Sequence, residues 1–535
     1  MRKLCATATW LGTISLILHG VVCRGQGTKH KGVTATVSMI LQKPIFVTNE
    51  KYLSLGMDVN LIRKRWSTFN FTSTRMLTMA KALAPAYLRL SGTDADRMIF
   101  DKNADFKKNY KSASEGTSGD LYWKLDKFSK LGVEHYTVEE QVKGLFPPSN
   151  FTMSGEDWDN INQFAITVGW RMIFGLNEQL RNGTVWDPTN AMELLDYSIA
   201  KGYYKNLDFQ LGNEPDLYGG EKYEVPINGT ELGNDVLYLR KLLNGAKYGK
   251  YFKNSMIVGP DIAQAFYQQY ITDYINAAGD AISAVTWHHY YGGSELKYIS
   301  NYTDPKLLDS YAFYVKLVAE AIVNSSRPSL PSWQGETSTT SSPPGSDIDM
   351  GYVAGFMLLD KMGLNAKMAV DVFVRQTFYG FWFALVDQGL HATPDYWICL
   401  LFKRLVGRQV LQTNVQLTTS DVKPGAARFY AHCTSPQAGY PKGAVTLYGM
   451  NLYDKDLYIS LLKAYDVDQY LLTPGGWGGI TSRFIALNGK ILLMPDETNF
   501  PQLDPVTLPA GDTIALPPKS LGFFILKNAN ASACS

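Results

Sequence analysis

The sequence is poor in the features that announce many enzyme chemistries. Its 535 residues include only five cysteines, and no spacing among them suits a zinc site. Gly-x-Ser-x-Gly, a Walker loop and His-Glu-x-x-His are all missing. Their absence removes the motifs of serine hydrolases, P-loop enzymes and zinc proteases. Charge of one sign is missing too: 51 Lys+Arg against 49 Asp+Glu leave +2, so no global field calls for nucleic acid. There are no repeats or low-complexity tracts. Beyond the first 25 residues no apolar run is long enough to span a bilayer, so the mature protein is expected to be soluble.

Apolar and aromatic residues are plentiful. Hydrophobic residues make up 45% and charged residues 19%, as in globular chains that bury large cores. Tyr occurs 32 times and Trp 11 times. Core packing accounts for most of these, and the remainder suits a cleft that stacks on flat ligands such as sugar rings. Residues 1–25 read as a secretory signal: Arg2 and Lys3, a mostly apolar run from Leu4 to Cys23, then Gly25 and Gly27. An uncleaved membrane anchor is the alternative reading. Cys5 and Cys23 would leave with the signal, and Cys399, in apolar surroundings, reads as a buried free thiol. Cys433 and Cys534 remain and can pair in an oxidising compartment. Asn-x-Ser/Thr sequons at Asn70, Asn150, Asn182, Asn228, Asn301, Asn324 and Asn530 fit a secreted or lysosomal glycoprotein.

The organising stretch is Leu207–Pro215. It alternates like a strand and breaks at Gly212 and Pro215, leaving Asn213 and Glu214 where the strand runs out into a loop. Around it, strand-like runs at Tyr52–Asp58, Ala86–Gly92, Trp170–Asn177, Leu207–Pro215, Ser255–Asp261, Ala284–Tyr291, Ser332–Thr337 and Asp371–Phe378 alternate with helical ones. Eight such units predict a (β/α)8 TIM barrel over 49–406, whose chemistry belongs at the strand exits. Those exits carry Asp58, Asn60, Arg89, Thr93, Asn177, Asn213, Glu214, Asp261, His288, Tyr290, Glu336 and Gln376. Any one of them can be a cap or a structural hydrogen bond; together they are hard to read as core. Residues 101–150 interrupt the pattern as a charged insertion, either a surface segment or one that covers the cleft and is removed. From 407 to 535, short alternating runs between turns predict a β-sandwich domain. Val33–Ile40, in the segment 26–48, is a candidate extra strand for it.

Glu336 ends the seventh strand and is the natural partner of Glu214 across the barrel mouth. Two carboxylates flanking one bond are what glycoside hydrolysis needs: one protonates the leaving oxygen, the other attacks the anomeric carbon or activates water. A separation of about 5–5.5 Å predicts retention of configuration. Asn213 suits a hydrogen bond to the sugar 2-hydroxyl. No cofactor or metal is expected.

Asn213-Glu214-Pro215, Leu83–Arg89, Val285–Tyr291, Gly335–Ser338, Pro394–Trp397, Leu400–Gly407 and Ala431–Thr434, in this order, resemble the heparanase-like endo-β-glucuronidases. That family of retaining glycoside hydrolases includes heparanases and leech-type hyaluronidases, and the resemblance spans nearly the whole mature chain. It implies Glu214 as acid/base, Glu336 as nucleophile, and Asn213 on the 2-hydroxyl. It implies Asp58, Asn60 and Thr93 near the non-reducing side of the cut, His288 and Tyr290 lining the nucleophile, and Gln376 in the cleft. It further implies a Cys433–Cys534 disulfide, an N-terminal strand in the sandwich, and excision of the 101–150 segment in some members. The sequence departs from heparanases in three places. Pro343 and Pro344 interrupt a run whose amides bind the uronate carboxylate, and proline has no N–H to donate. Gly380–Ala384 lacks a tyrosine, and the two basic heparin-binding clusters are replaced near Asn150–Asp157 and Gln264–Gln269. The expected activity is endo-β-glucuronidase on a glycosaminoglycan, heparan sulfate or hyaluronan. The alternative is a non-catalytic glycosaminoglycan-binding or signalling protein on the same fold. Membrane association is expected only through the glycosaminoglycan or an uncleaved signal.

Overall fold

A computed structural model describes residues 32–105, 149–219, 225–342, 347–420 and 422–535. The signal segment, most of the 101–150 insertion and Pro343–Gly345 lie outside the described residues.

The chain starts in one sheet system and passes through a barrel before returning. Val33–Met39 alternates buried and half-buried residues, as a strand with one face on a core must. It pairs parallel with Leu457–Leu461 and antiparallel with Thr413–Leu417. The barrel then closes in sequence order from Leu53–Asp58, Ala86–Ser91, Trp170–Leu176, Leu207–Leu211, Val258–Ile262, Ala284–His289, Ser332–Thr337 and Val370–Arg375. Every neighbouring pair is parallel. A single parallel bridge, Phe209 to Ile257, joins the fourth strand to the chain entering the fifth and completes the ring. These strands are buried almost throughout, the pattern of parallel strands covered on both faces.

The barrel interior is graded. Tyr87, Ile173, Val258, Ala284, Trp333, Val372 and Val374 form an apolar plug separate from the main core. Two residues further along the same strands, on the same face, come Arg89 and Thr286. The plug thus supports a polar layer beneath the mouth. The helices outside carry their own stops. Gly155–Val168 begins with a reciprocal capping box between Ser154 and Asp157 and ends on left-handed Gly169.

Helix Ala354–Lys367 is buried on nearly every side because it lies between the barrel and the second domain. A Cβ at Gly363 would stand 2.2 Å from the Tyr430 ring, so only glycine admits that approach. One helical turn back, Asp360 accepts hydrogen bonds from Arg428 Nε at 2.5 Å and Tyr430 Oη at 2.6 Å. The second domain stacks the four-stranded sheet containing Val33–Met39 on a larger sheet built around Ala427–Thr434, Val445–Asn451, Ser520–Leu526 and Val467–Gly475. A Cys433–Cys534 disulfide ties the last residues to it, and Cys399 is a buried free thiol. Strands at Val406–Leu411, Thr413–Leu417 and Phe484–Leu487 went unpredicted. All seven sequon asparagines are at least partly accessible. Among the described residues no helix is long and apolar enough to cross a membrane.

Candidate active site

Glu214 leaves its strand in a left-handed conformation, φ 51°, after Gly212 at φ 77°. That double turn is costly for a glutamate, and its neighbours hold it. The Glu214 amide donates to the Asp261 carbonyl at 3.0 Å. Asp216, two residues on, accepts from the amides of Ala263 and Gln264 at 2.8 and 3.0 Å. Pro215 opens the short 3-10 turn that follows. The Asn-Glu-Pro-Asp sequence thus pins one strand exit to the next.

Glu336 is delivered differently. The pairing register of its strand shifts between Gln334 and Thr337, and such an irregularity re-aims a side chain. Gly335 allows Asp261 to approach; a Cβ there would lie 2.8 Å from the Asp261 carboxylate. Glu336 Oε2 accepts from Arg89 Nη1 at 2.6 Å, and Oε1 accepts from Tyr290 Oη at 2.6 Å. Both oxygens are therefore held by donors. Burial, then the Glu336 charge, keeps the Tyr290 hydroxyl protonated far above its ordinary range.

Arg89 is the hub. Nε donates to Gln210 Oε1 at 3.0 Å, and Nη2 donates to Asn213 Oδ1 at 2.7 Å and to Asp261. Burial works against its charge, but Asp261 and Glu336 outweigh it and hold Arg89 charged. Burial would likewise raise Asp261; Arg89 and His288 overcome it and hold that carboxyl well below its usual range. His288 is 1% exposed, and burial alone would discharge it. Asp261 and Glu336 instead push it up to about 10. Protonated, it donates Nδ1–H to Glu214 Oε1 at 3.0 Å and forms an ion pair with Asp261, whose Oδ1 lies 3.1 Å from Nε2. One atom each of Glu214, His288 and Glu336 lies within 4.8 Å of the others. That triad has metal-ligand chemistry, but His288 is paired with Glu214 and Asp261 and Glu336 is taken by Arg89 and Tyr290, so the donor set suits proton transfer instead.

The other expected residues sit at varying distance from this pair. Asn213 is 1% exposed, with its amide oxygen on Arg89 and its backbone N–H on Asp96. Asp58 is buried beside Gly92; burial pushes it up to about 8 despite the Asn60 amide bonded to it at 2.7 Å. Asn60 donates its side-chain amide to Asp94 at 3.2 Å. Thr93 opens the 3-10 turn that carries Asp94 and Asp96. Gln376 is 3% exposed with a buried Oε1 that accepts no hydrogen bond among the described residues. Asn177 stays apart: its amide donates to the Met98 carbonyl at 3.1 Å, a structural bond.

The sequence reading named Arg89 and Asp261 only as polar strand exits and did not foresee Gln210, Asp96 or Tyr218. Tyr218 donates to Asp96 at 2.6 Å, and both support the Asn213 amide. A usable signal existed for Arg89 and Gln210, since a charged or amide side chain inside a buried parallel strand breaks its apolar run.

Two facing carboxylates at the strand exits of a (β/α)8 barrel, one gripped by Arg and Tyr and the other by His, define a glycoside hydrolase site. The sequence agrees. Residues 64–363 match the model of the glycosyl hydrolase family 79 N-terminal domain. The chain is 35% identical to a heparanase of Gallus gallus, covering 94% of this chain and 97% of that one. It is 31% identical to a hyaluronoglucuronidase of Hirudo nipponia (91% and 96%) and 30% identical to an inactive heparanase-2 of Homo sapiens (96% and 91%). A 4-O-α-L-rhamnosyl-β-D-glucuronidase from Fusarium oxysporum shares the fold, with TM-score 0.62 at 14% identity over 92% of this chain and all of that one. This chain belongs to glycosyl hydrolase family 79.

Proposed function

We propose that this protein is a retaining endo-β-glucuronidase that cuts internal glucuronide bonds of a glycosaminoglycan. The observation that carries the reading is the carboxylate pair. One carboxylate oxygen of Glu214 and one of Glu336 lie within 4.8 Å of each other, a closeness that fits the ~5–5.5 Å of retaining enzymes and not the ~6.5–9.5 Å of inverting ones.

In this scheme Glu336, oriented by hydrogen bonds from Arg89 and Tyr290, attacks the anomeric carbon. Glu214 protonates the leaving oxygen, then takes a proton from the water that hydrolyses the glycosyl-enzyme. His288 occupies Glu214 Oε1, which leaves Oε2 to face the leaving group. The Asn213 oxygen is fixed on Arg89, so its NH2 is free to meet the 2-hydroxyl. Asp58, Asn60, Thr93 and Gln376 line the cleft around this centre. In the division of labour we propose, the barrel at 49–406 carries catalysis, and the segment 26–48 and residues 407–535 brace it.

Hyaluronan is favoured over heparan sulfate. Phe266 and Tyr267 stand exposed and uncharged at one expected basic cluster. At the other, Glu156 and Asp157 sit in a helix N-terminal turn. Lys247 is engaged by Asp196 at 2.8 Å. A non-catalytic glycosaminoglycan-binding role is the second reading, raised by the similarity to an inactive heparanase-2. The intact and mutually supported pair argues against it. The leader and the seven accessible sequons support a secreted or lysosomal glycoprotein.

The test is to incubate the purified protein with each polymer across a salt series, size the products, and follow the new anomeric signal by NMR. Shortened hyaluronan with β-configured product formed first, and weak salt dependence, is expected. If neither polymer is shortened, the reading fails.

A further inference from the structure

Near the catalytic pair lies a concavity of about 100 Å3. Its walls include Lys64, Met350, Phe381, Trp382, Asp387 and Gln388. It adjoins the cleft at two places. Phe383, adjacent to Trp382, packs on Tyr290 with ring centroids 6.1 Å apart, and Tyr290 holds Glu336. Gly380 lies against Leu61, in the short helix that begins at Asn60 and whose C-cap is Lys64.

The charges of this cavity do not cancel. Asp387 accepts from His391 Nδ1 at 3.2 Å and pairs with Arg483 at 3.5 Å, so its charge is compensated from outside. Asp94, near Lys64, is occupied by Arg63 at 2.8 and 2.9 Å. Asp58, the other acid that Lys64 senses, is held largely protonated by burial near neutral pH. Among the described residues the Lys64 side chain makes no hydrogen bond or ion pair, and the residue is exposed. One unpaired ammonium thus lines the same concavity as two half-buried aromatic rings, Phe381 and Trp382, set edge-to-face at 5.3 Å. A sugar ring that stacks on an aromatic face while its carboxylate meets a cation fits that combination. The aromatic wall falls where the chain departs from heparanases, at Gly380–Ala384.

We propose that this cavity is an accessory subsite for an acidic sugar residue, on the Asp58 and Asn60 side of the cut, with Lys64 as its specificity-determining cation. The inference rests on the glycosaminoglycan reading above and deepens it. A single cation binds the uronate carboxylate common to hyaluronan and heparan sulfate, without the row of charges a sulfated chain needs.

The test compares wild type, Lys64→Gln and Lys64→Arg on hyaluronan and on hyaluronan whose carboxyls have been methyl-esterified on only a fraction of residues. Lys64→Gln should raise KM for hyaluronan about tenfold, the loss of one charge-assisted contact, with kcat within about twofold. Lys64→Arg should restore KM, and partial esterification should raise KM for wild type but not for Lys64→Gln. Melting temperatures equal to wild type exclude a folding effect. An unchanged KM in Lys64→Gln overturns the subsite and leaves the glucuronidase reading standing. A wild-type protein that cleaves neither hyaluronan nor heparan sulfate overturns both.

Discussion

At the scale of single residues, the site is a closed charge circuit. Arg89 and protonated His288 face the anions Asp261 and Glu336, and each cation touches more than one acceptor. Burial makes every one of these ions costly alone, so each is tolerable only because the others are there. Glu336→Gln keeps the shape but loses the nucleophile. Its turnover should fall below about one-thousandth of wild type with little change in melting temperature; a folded variant with normal rates would refute the assignment. Asp58 leads to a pH prediction. Its folded pKa, about 8, lies above the unfolded 3.8, so the native state keeps a proton that the unfolded chain has lost. Stability from this group is therefore full below about 4 and is lost as pH rises through about 8. Asp58→Asn should flatten the decline of melting temperature between pH 4 and 8. An identical decline in the variant would mean that burial does not hold that proton.

At the scale of elements, the strand exits position the chemistry, and glycine decides where they can close up. Gly92 has φ 115°, and a Cβ there would fall 2.2 Å from Asp58 Oδ2. Gly92→Ala should therefore both strain the turn and displace Asp58. We expect a fall of at least about tenfold in kcat/KM, or about 1.4 kcal/mol at the transition state, with near-native circular dichroism. Wild-type kinetics in that variant would show that the exit tolerates the shift. The elements themselves were largely legible. The eight predicted strands coincide with the observed ones within a few residues, because buried parallel strands bounded by turns leave a strong pattern. Edge strands such as Thr413–Leu417 did not, since a half-exposed strand carries a weaker signal. The register shift that aims Glu336 left no sequence mark at all.

At the scale of the whole molecule, two sheet systems are fastened at chain ends and at one helix. The Cys433–Cys534 bond spans 101 residues of sequence. Removing it with Cys534→Ser should cost about 2–5 kcal/mol of stability, measured by denaturant unfolding, with activity at moderate temperature unchanged. A loss of activity in the folded variant would instead tie the C-terminal segment to the cleft. Asp360, fully buried between Arg428 and Tyr430, fixes the sandwich against helix Ala354–Lys367.

The sequence alone determined the alternation of strands and helices, and so the barrel, and it put Glu214 and Glu336 at strand exits. It could do so because burial periodicity and turn residues are local, written within about ten neighbouring positions. It also offered Cys433 and Cys534 as a pair. Tertiary structure alone decided that Arg89, from the second strand, reaches Gln210, Asn213, Asp261 and Glu336 on three others. It decided that against burial Asp261 and Glu336 push His288 up, that burial pushes Asp58 up, and that Lys64 lines one concavity with Phe381 and Trp382. Those outcomes depend on burial and on charges brought together from distant parts of the chain, and electrostatic energy in a low-dielectric interior follows distance in space, not separation along the sequence.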